Sequence, residues 1–213
     1  MEGMTSTDER PWVAQYQPGV PADIEMPTTS LVTMFEQSVR EAAPDTALEF
    51  FGRRTTYAEL RAKVNRVAEG LRRLGVRAGD RVALVLPNCP QHVVAFYAIL
   101  RLGAIVVEHN PLYTSRELRH LFESHQARVA IAWDKTVAAL QEFPTDMAIP
   151  TIVAVDLLAE FPAVKRAALH LPVPKLRETR RGLTARTTGT VAWKDLLASP
   201  APDAATPHPD PHD

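Results

Sequence analysis

The chain has 213 residues, of which 46% are apolar and 23% charged, and its formal net charge is −1. That is enough chain for one large domain or two small ones with a sizeable core. The balance excludes a mainly disordered, collagen-like or disulfide-stapled protein, and the charge offers no global field for nucleic acid or an anionic membrane. One cysteine, Cys89, cannot form an internal disulfide, which predicts a reducing, cytoplasmic setting. No apolar run approaches the ~18 residues of a spanning helix. The first twelve residues, MEGMTSTDERPW, lack the apolar stretch of a signal peptide.

In chain order, residues 1–27 hold Pro11, Pro18, Pro21 and Pro27 without a helical period and read as an extended arm. Ser30 is a candidate N-cap for a helix with Leu31, Met34, Phe35 and Val39 on one face, stopped by Pro44. Two β-prone runs, Ala47–Phe51 and Arg54–Thr56, flank Gly52-Arg53 and predict a hairpin. Thr56-Tyr57-Ala58-Glu59 is a capping box, in which the hydroxyl bonds a first-turn amide and the Glu reaches back to the cap amide. Its helix carries Leu60, Val64, Val67, Leu71 and Leu74 at intervals of three and four, and Gly75 suits the left-handed position beyond its end.

From there strands and helices alternate. Arg81–Leu86, Ala104–Val107, Arg128–Trp133 and Thr151–Val155 read as strands. Helices are predicted over Pro90–Leu102, after a second capping box at Thr114–Glu117, and over Lys135–Phe143. Apolar strands separated by helices indicate right-handed crossovers, hence an α/β fold with a largely parallel sheet flanked by helices and a short β-hairpin near the start. Residues 28–199 form this subdomain, and 161–186 within it read as a basic, Pro-broken loop. Trp193–Leu197 suggests one more helical turn. Residues 200–213 have five prolines and no large apolar side chain, the composition of a linker, so the chain is expected to be cut short there.

Few residues suggest chemistry. Thr187-Thr188-Gly189-Thr190 has one glycine and no Lys within the three residues that follow, so it is a surface turn before it is a phosphate cradle. His208 and His212 lie in the Pro-rich tail, and His120 and His125 are five apart and share no helical face, so metal binding is not expected. Glu108-His109 ends a predicted strand, where open α/β sheets bind ligands, although a loop-facing polar pair is the plainer account. Cys89 stands at a helix mouth that could lower its pKa, but with no base nearby it reads as inert. The segment 161–186 interleaves seven basic residues with Phe161, Val164, Leu169, Leu171, Val173 and Leu176. It is either a solvated loop or a peripheral contact with the inner face of a membrane.

Four stretches together resemble the adenylate-forming (AMP-binding) enzymes. They are Thr55-Thr56-Tyr57-Ala58-Glu59-Leu60, Gly79-Asp80-Arg81-Val82-Ala83, Leu86-Pro87-Asn88-Cys89-Pro90-Gln91, and Leu102–Val107 with Asn110-Pro111-Leu112-Tyr113-Thr114. The last form is most similar to bacterial long-chain fatty-acid–CoA ligases. The resemblance covers about residues 28–198. It implies a two-step reaction: a carboxylate attacks the α-phosphate of ATP to give an acyl-adenylate and pyrophosphate, and the thiol of coenzyme A then displaces AMP, with Mg²⁺ on the phosphates. The family's phosphate loop, ribose-binding Asp and catalytic Lys have no counterpart in these residues. Thr56, Tyr57, Glu59, Gly103 and Pro111 match motif positions, but their evident work is capping, packing and turning. No catalytic, cofactor-binding or metal-binding residue is therefore assigned, and no cofactor is expected on this chain alone. The implied partners are the remainder of a synthetase chain, a fatty acid, ATP, Mg²⁺ and coenzyme A, with a homodimer possible and nucleic acid excluded. Two other readings share the same features: a stand-alone module that pairs with a full-length synthetase, and an acyl-binding protein without ATP chemistry.

Overall fold

The computed structural model describes residues 10–24 and 28–200. A 3-10 turn over Pro11–Gln15 interrupts the expected extended arm. Helix α1 spans Leu31–Ala42, and the Ser30 hydroxyl accepts from the Thr33 N–H at 3.1 Å, as its cap requires. Its inner stripe is Val32, Phe35 and Val39, whereas Leu31 and Met34 are exposed, contrary to expectation. On the inner stripe the Phe35 ring stacks on Tyr97 with centroids 4.5 Å apart.

Strands β1 (Thr46–Phe50) and β2 (Arg53–Thr56) form the antiparallel hairpin. Its turn residues are Phe51 and Gly52, both at positive φ (53° and 91°), one position earlier than the sequence suggests. Helix α2 (Tyr57–Arg73) begins at a complete capping box, with both Thr56–Glu59 bonds present. Leu60, Val64, Val67 and Leu71 are buried on one face of α2.

The main sheet has five strands in the order β4-β3-β5-β6-β7, every neighbouring pair parallel. They are β3 (Arg81–Val85), β4 (Ile105–Glu108), β5 (Val129–Trp133), β6 (Thr151–Val155) and β7 (Val191–Ala192). The sequence reading finds four of these. β7 escapes it because two residues carry no period, and only their alignment with Val153 and Ala154 makes them a strand.

Helices cover both faces of the sheet. Val82, Leu84, Val129, Ile131, Val153 and Val155 face a core built with α1, α2, α3 (Pro90–Arg101) and α8 (Trp193–Leu197). The alternate residues Ala83, Val85, Ala130, Ala132 and Ile152 face α4 (Ser115–His125) and α5 (Val137–Gln141). α4 starts at the second capping box, Thr114–Glu117. A third cluster, Leu158, Phe161 and Leu169, packs against Phe50, Leu176 and Leu183. It flanks α6 (Ala163–Ala168) and receives Leu176 and Leu183 from α7 (Pro174–Leu183), so the expected Pro-broken loop is in fact two short helices. Pro174 occupies the first turn of α7, where its missing N–H costs nothing, so a short helix starts at a proline inside a segment that reads as a loop. Beyond Pro200 the Pro-rich tail, with His208 and His212, lies outside the described residues.

α2 and α8 meet at Gly70, where an added Cβ would lie 2.9 Å from the Leu196 Cα. Alanine gains up to about 1 kcal/mol of helix propensity over glycine, but here the opposing atom is backbone and cannot swing aside. Gly70→Ala is expected to destabilise the fold by about 1–3 kcal/mol. Thermal denaturation checks it, and a raised melting temperature would contradict the close approach.

Candidate functional site

β3 and β5 are neighbours, yet the chain leaves their carboxyl ends toward α3 on one face and α5 on the other. Such a switch point leaves a crevice at the carboxyl edge of the sheet. A cavity of about 700 Å³ lies there. Its walls come from Leu86-Pro87-Asn88 after β3, Glu108–Leu112 after β4, Trp133 at the end of β5 and Leu157 after β6. The hairpin tip (Phe50, Phe51), Phe161 and Leu183 complete it. Ten of the fifteen lining residues are apolar, so the cavity suits a largely apolar ligand.

Two of the four motif stretches, in their Leu86–Gln91 and Asn110–Thr114 parts, therefore converge on this cavity although nineteen positions separate Gln91 from Asn110. Thr56 and Glu59 stay with their capping box, Tyr57 packs against the main core, and Gly103 turns the chain at φ 66°. Of the five motif positions only Pro111 lines the cavity. Sequence reasoning missed Trp133, Leu157, Phe161 and Leu183. Trp133 alone carried a signal, since it ends a predicted strand at the edge where such sheets bind.

The end of β5 also fastens α7. The Trp133 indole N–H donates to the Leu183 carbonyl at 2.9 Å, and the Lys135 ammonium donates to the Arg181 carbonyl at 2.8 Å. A cation on the last carbonyls of a helix is favoured by the helix dipole. The Thr184 hydroxyl donates to the buried Asp134 carboxylate. Burial pushes the Asp134 carboxyl up, against the hydrogen bonds from Thr184 and the Ala185 N–H. Gln91, itself buried, ties α3 to the same edge by donating to the Asp156 carbonyl at 3.0 Å.

The polar wall is a histidine arrangement. His92 Nε2 lies 2.8 Å from Glu108 Oε1. His109 Nε2 lies 3.0 Å from His125 Nε2, and the His109 ring stacks on Phe122. The Ala127 N–H donates to His125 Nδ1 at 3.1 Å, so a neutral His125 carries its proton on Nε2 and donates it to His109. His109 is then the Nδ1–H tautomer. Burial, and then the neighbouring His109, push His125 down to about 4, and burial lowers His109 too. His109 is thus a packed, neutral cavity wall rather than a loop-facing polar residue. The sixteen-residue separation of the pair left no local pattern to read.

Cys89 is buried at the start of α3. Burial raises its thiol to about 11 and outweighs the lowering by local backbone hydrogen bonds, so the helix mouth does not activate it. Thr187–Thr190 is a turn in which the Thr190 hydroxyl bonds Thr187 and Gln141 holds the Thr188 carbonyl, and it leads into β7 away from the cavity.

No Lys or Arg lines the cavity, its one carboxylate, Glu108, is engaged by His92, and no cluster that could hold a metal ion occurs among the described residues. The donor set does not fit ATP phosphates or their Mg²⁺.

A family model for AMP-binding enzymes matches residues 35–211. A long-chain-fatty-acid–CoA ligase of Bacillus subtilis is 34% identical over 167 residues, covering 78% of this chain and 28% of the relative. One from Escherichia coli is 33% identical over 168 residues, covering 78% and 30%. The chain therefore spans less than a third of the length of these curated relatives. Among solved structures, the anthranilate CoA ligase AuaEII, seen with anthranoyl-AMP, superposes with a TM-score of 0.65 at 23% identity over 86% of this chain and 31% of that one. That likeness shows a shared fold.

Because both histidines bind protons less readily folded than unfolded, their contribution to stability is intact above pH 6.5 and is lost as pH falls below it, for His125 toward about 4. His125→Asn keeps an acceptor for the Ala127 N–H and removes the titration. Between those pH values the variant is expected to lose roughly 1–2 kcal/mol less stability than the parent. Urea midpoints across the range check it, and parallel pH slopes would contradict it.

Proposed function

This chain belongs to the AMP-binding enzyme family, and from that membership we propose that it supplies the N-terminal α/β part of an ATP-dependent fatty-acid–CoA ligase. The observation that carries this reading is the apolar cavity at the sheet's carboxyl edge, where two family motifs meet. In this reading the cavity receives apolar substrate, the hydrocarbon part of a fatty acid. Its walls, Trp133, Leu157, Phe161 and Leu183, offer area for an alkyl chain and no cation for a phosphate. Nucleotide, Mg²⁺ and coenzyme A are held by the remainder of a synthetase chain, because the donor set here does not suit them.

What these residues contribute is binding and orientation. Trp133 and Lys135 hold α7 against the end of β5, which keeps Leu183 in the wall. The neutral His109–His125 pair closes another side without placing a charge in the apolar space. Partners in this reading are the remainder of the synthetase chain, the fatty acid and, through 161–186, a membrane surface.

Two measurements test it. Titration of the chain with a spin-labelled long-chain fatty acid is expected to quench tryptophan fluorescence saturably. Leu112→Glu, at an exposed position on the cavity rim, is expected to weaken that binding about tenfold. Absence of saturable binding would overturn the assignment of the cavity. Acyl-dependent exchange of pyrophosphate into ATP is expected to be undetectable with this chain alone. Exchange by the purified chain would show that the phosphate-handling groups have been misplaced.

A further inference from the structure

We propose that α6 and α7 form a docking surface for an anionic lipid bilayer, set beside the mouth of the apolar cavity. Segment 161–186 carries seven basic residues against Glu178 alone, a net +6, while the rest of the chain carries −7. The near-neutral total hides this division.

The two helices use their own leucines to bind the body of the protein. Leu169, Leu176 and Leu183 face inward onto Leu158 and Phe161. Val164, Leu171 and Val173 are left outside, and Val164 is 82% exposed. Arg166, Lys175, Arg177 and Arg181 are exposed too, and among the described residues their side chains have no partner. Arg177 and Arg181 are four apart and share a flank of α7. By contrast, Arg180 is drawn to His170 Nδ1 at 2.9 Å, which closes the connection between the helices.

The surface is fixed to the cavity rim. The Lys165 ammonium donates to the Phe51 carbonyl at 2.8 Å, and the Phe51 ring, 54% exposed, stacks on Phe161. Phe51, Phe161 and Leu183 all line the cavity. Unpaired cations beside exposed branched aliphatic side chains match a headgroup layer over an acyl boundary. A nucleic-acid groove instead presents aromatic rings for base stacking, and the outward face here has aliphatic groups in their place. Docking would hold the cavity mouth at the lipid surface, where long acyl chains partition. That benefit rests on the fatty-acid reading above, but docking itself does not.

The test is co-sedimentation of the full chain with phosphatidylcholine vesicles, with and without phosphatidylglycerol. Binding is expected only with the anionic lipid. Each basic side chain near such a surface is worth roughly a five-fold gain in partitioning, so Lys175→Glu/Arg177→Glu/Arg181→Glu should lower it by at least about a hundredfold. Val164→Ser/Leu171→Ser/Val173→Ser should also lower it, which simple charge attraction would not predict. Arg119→Glu, on the exposed face of α4, should leave it unchanged. Equal binding to vesicles without anionic lipid, full binding by the triple Glu variant, or tighter binding to single-stranded RNA would overturn the proposal. Loss of vesicle binding with fatty-acid quenching intact would reject docking and leave the cavity assignment standing. The reverse result would do the opposite.

Discussion

The fold depends on one constraint: the central strands β3 and β5 are buried on both faces, so the chain must supply helices to each side. Val82 and Leu84 look toward α1, α2 and α3, while Ala83 and Val85 look toward α4 and α5. Covering both faces forces the connections from neighbouring strands apart at the carboxyl edge. The cavity is the geometric consequence. Its position follows from the strand order, and its apolar character comes from the loop residues that the divergence exposes.

Closure of that space then falls to the segment richest in positive charge. Trp133, Asp134 and Lys135 leave β5 in succession, and each reaches the carboxyl end of α7 or the residue that follows it. Glu160, buried before α6, accepts from Lys63 of α2 at 2.9 Å and lies 3.4 Å from Arg53 of the hairpin. A desolvated carboxylate needs such partners, and here they connect three elements distant in sequence. The basic helices are therefore a fastened wall whose outer face is free for other work.

Legibility in the sequence tracked the range of the interaction. Both capping boxes could be read because their partners lie three residues apart. The four longer parallel strands could be read from apolar runs. The inner face of α1 is not legible, because it is set by contacts such as Phe35 on Tyr97, sixty-two residues away, which bury Phe35 with Val32 while Leu31 and Met34 stay exposed. Segment 161–186 reads as a loop because proline breaks a helix interior, whereas Pro174 sits where a helix begins. Cys89 could be read as inert, although burial was the reason and no motif announces burial.

By itself the sequence determined the α/β class, the capped helix starts, the parallel strands and, through four motifs in order, the family. These are properties of spacing and residue type, which local backbone geometry turns directly into structure. Only the tertiary structure decided that two of those motifs share a cavity, that His109 and His125 share a proton, and that α7 closes the site. The contacts involved span sixteen to fifty residues. A pair that far apart meets only because a sheet order and its crossovers bring it together, and no local periodicity encodes that order.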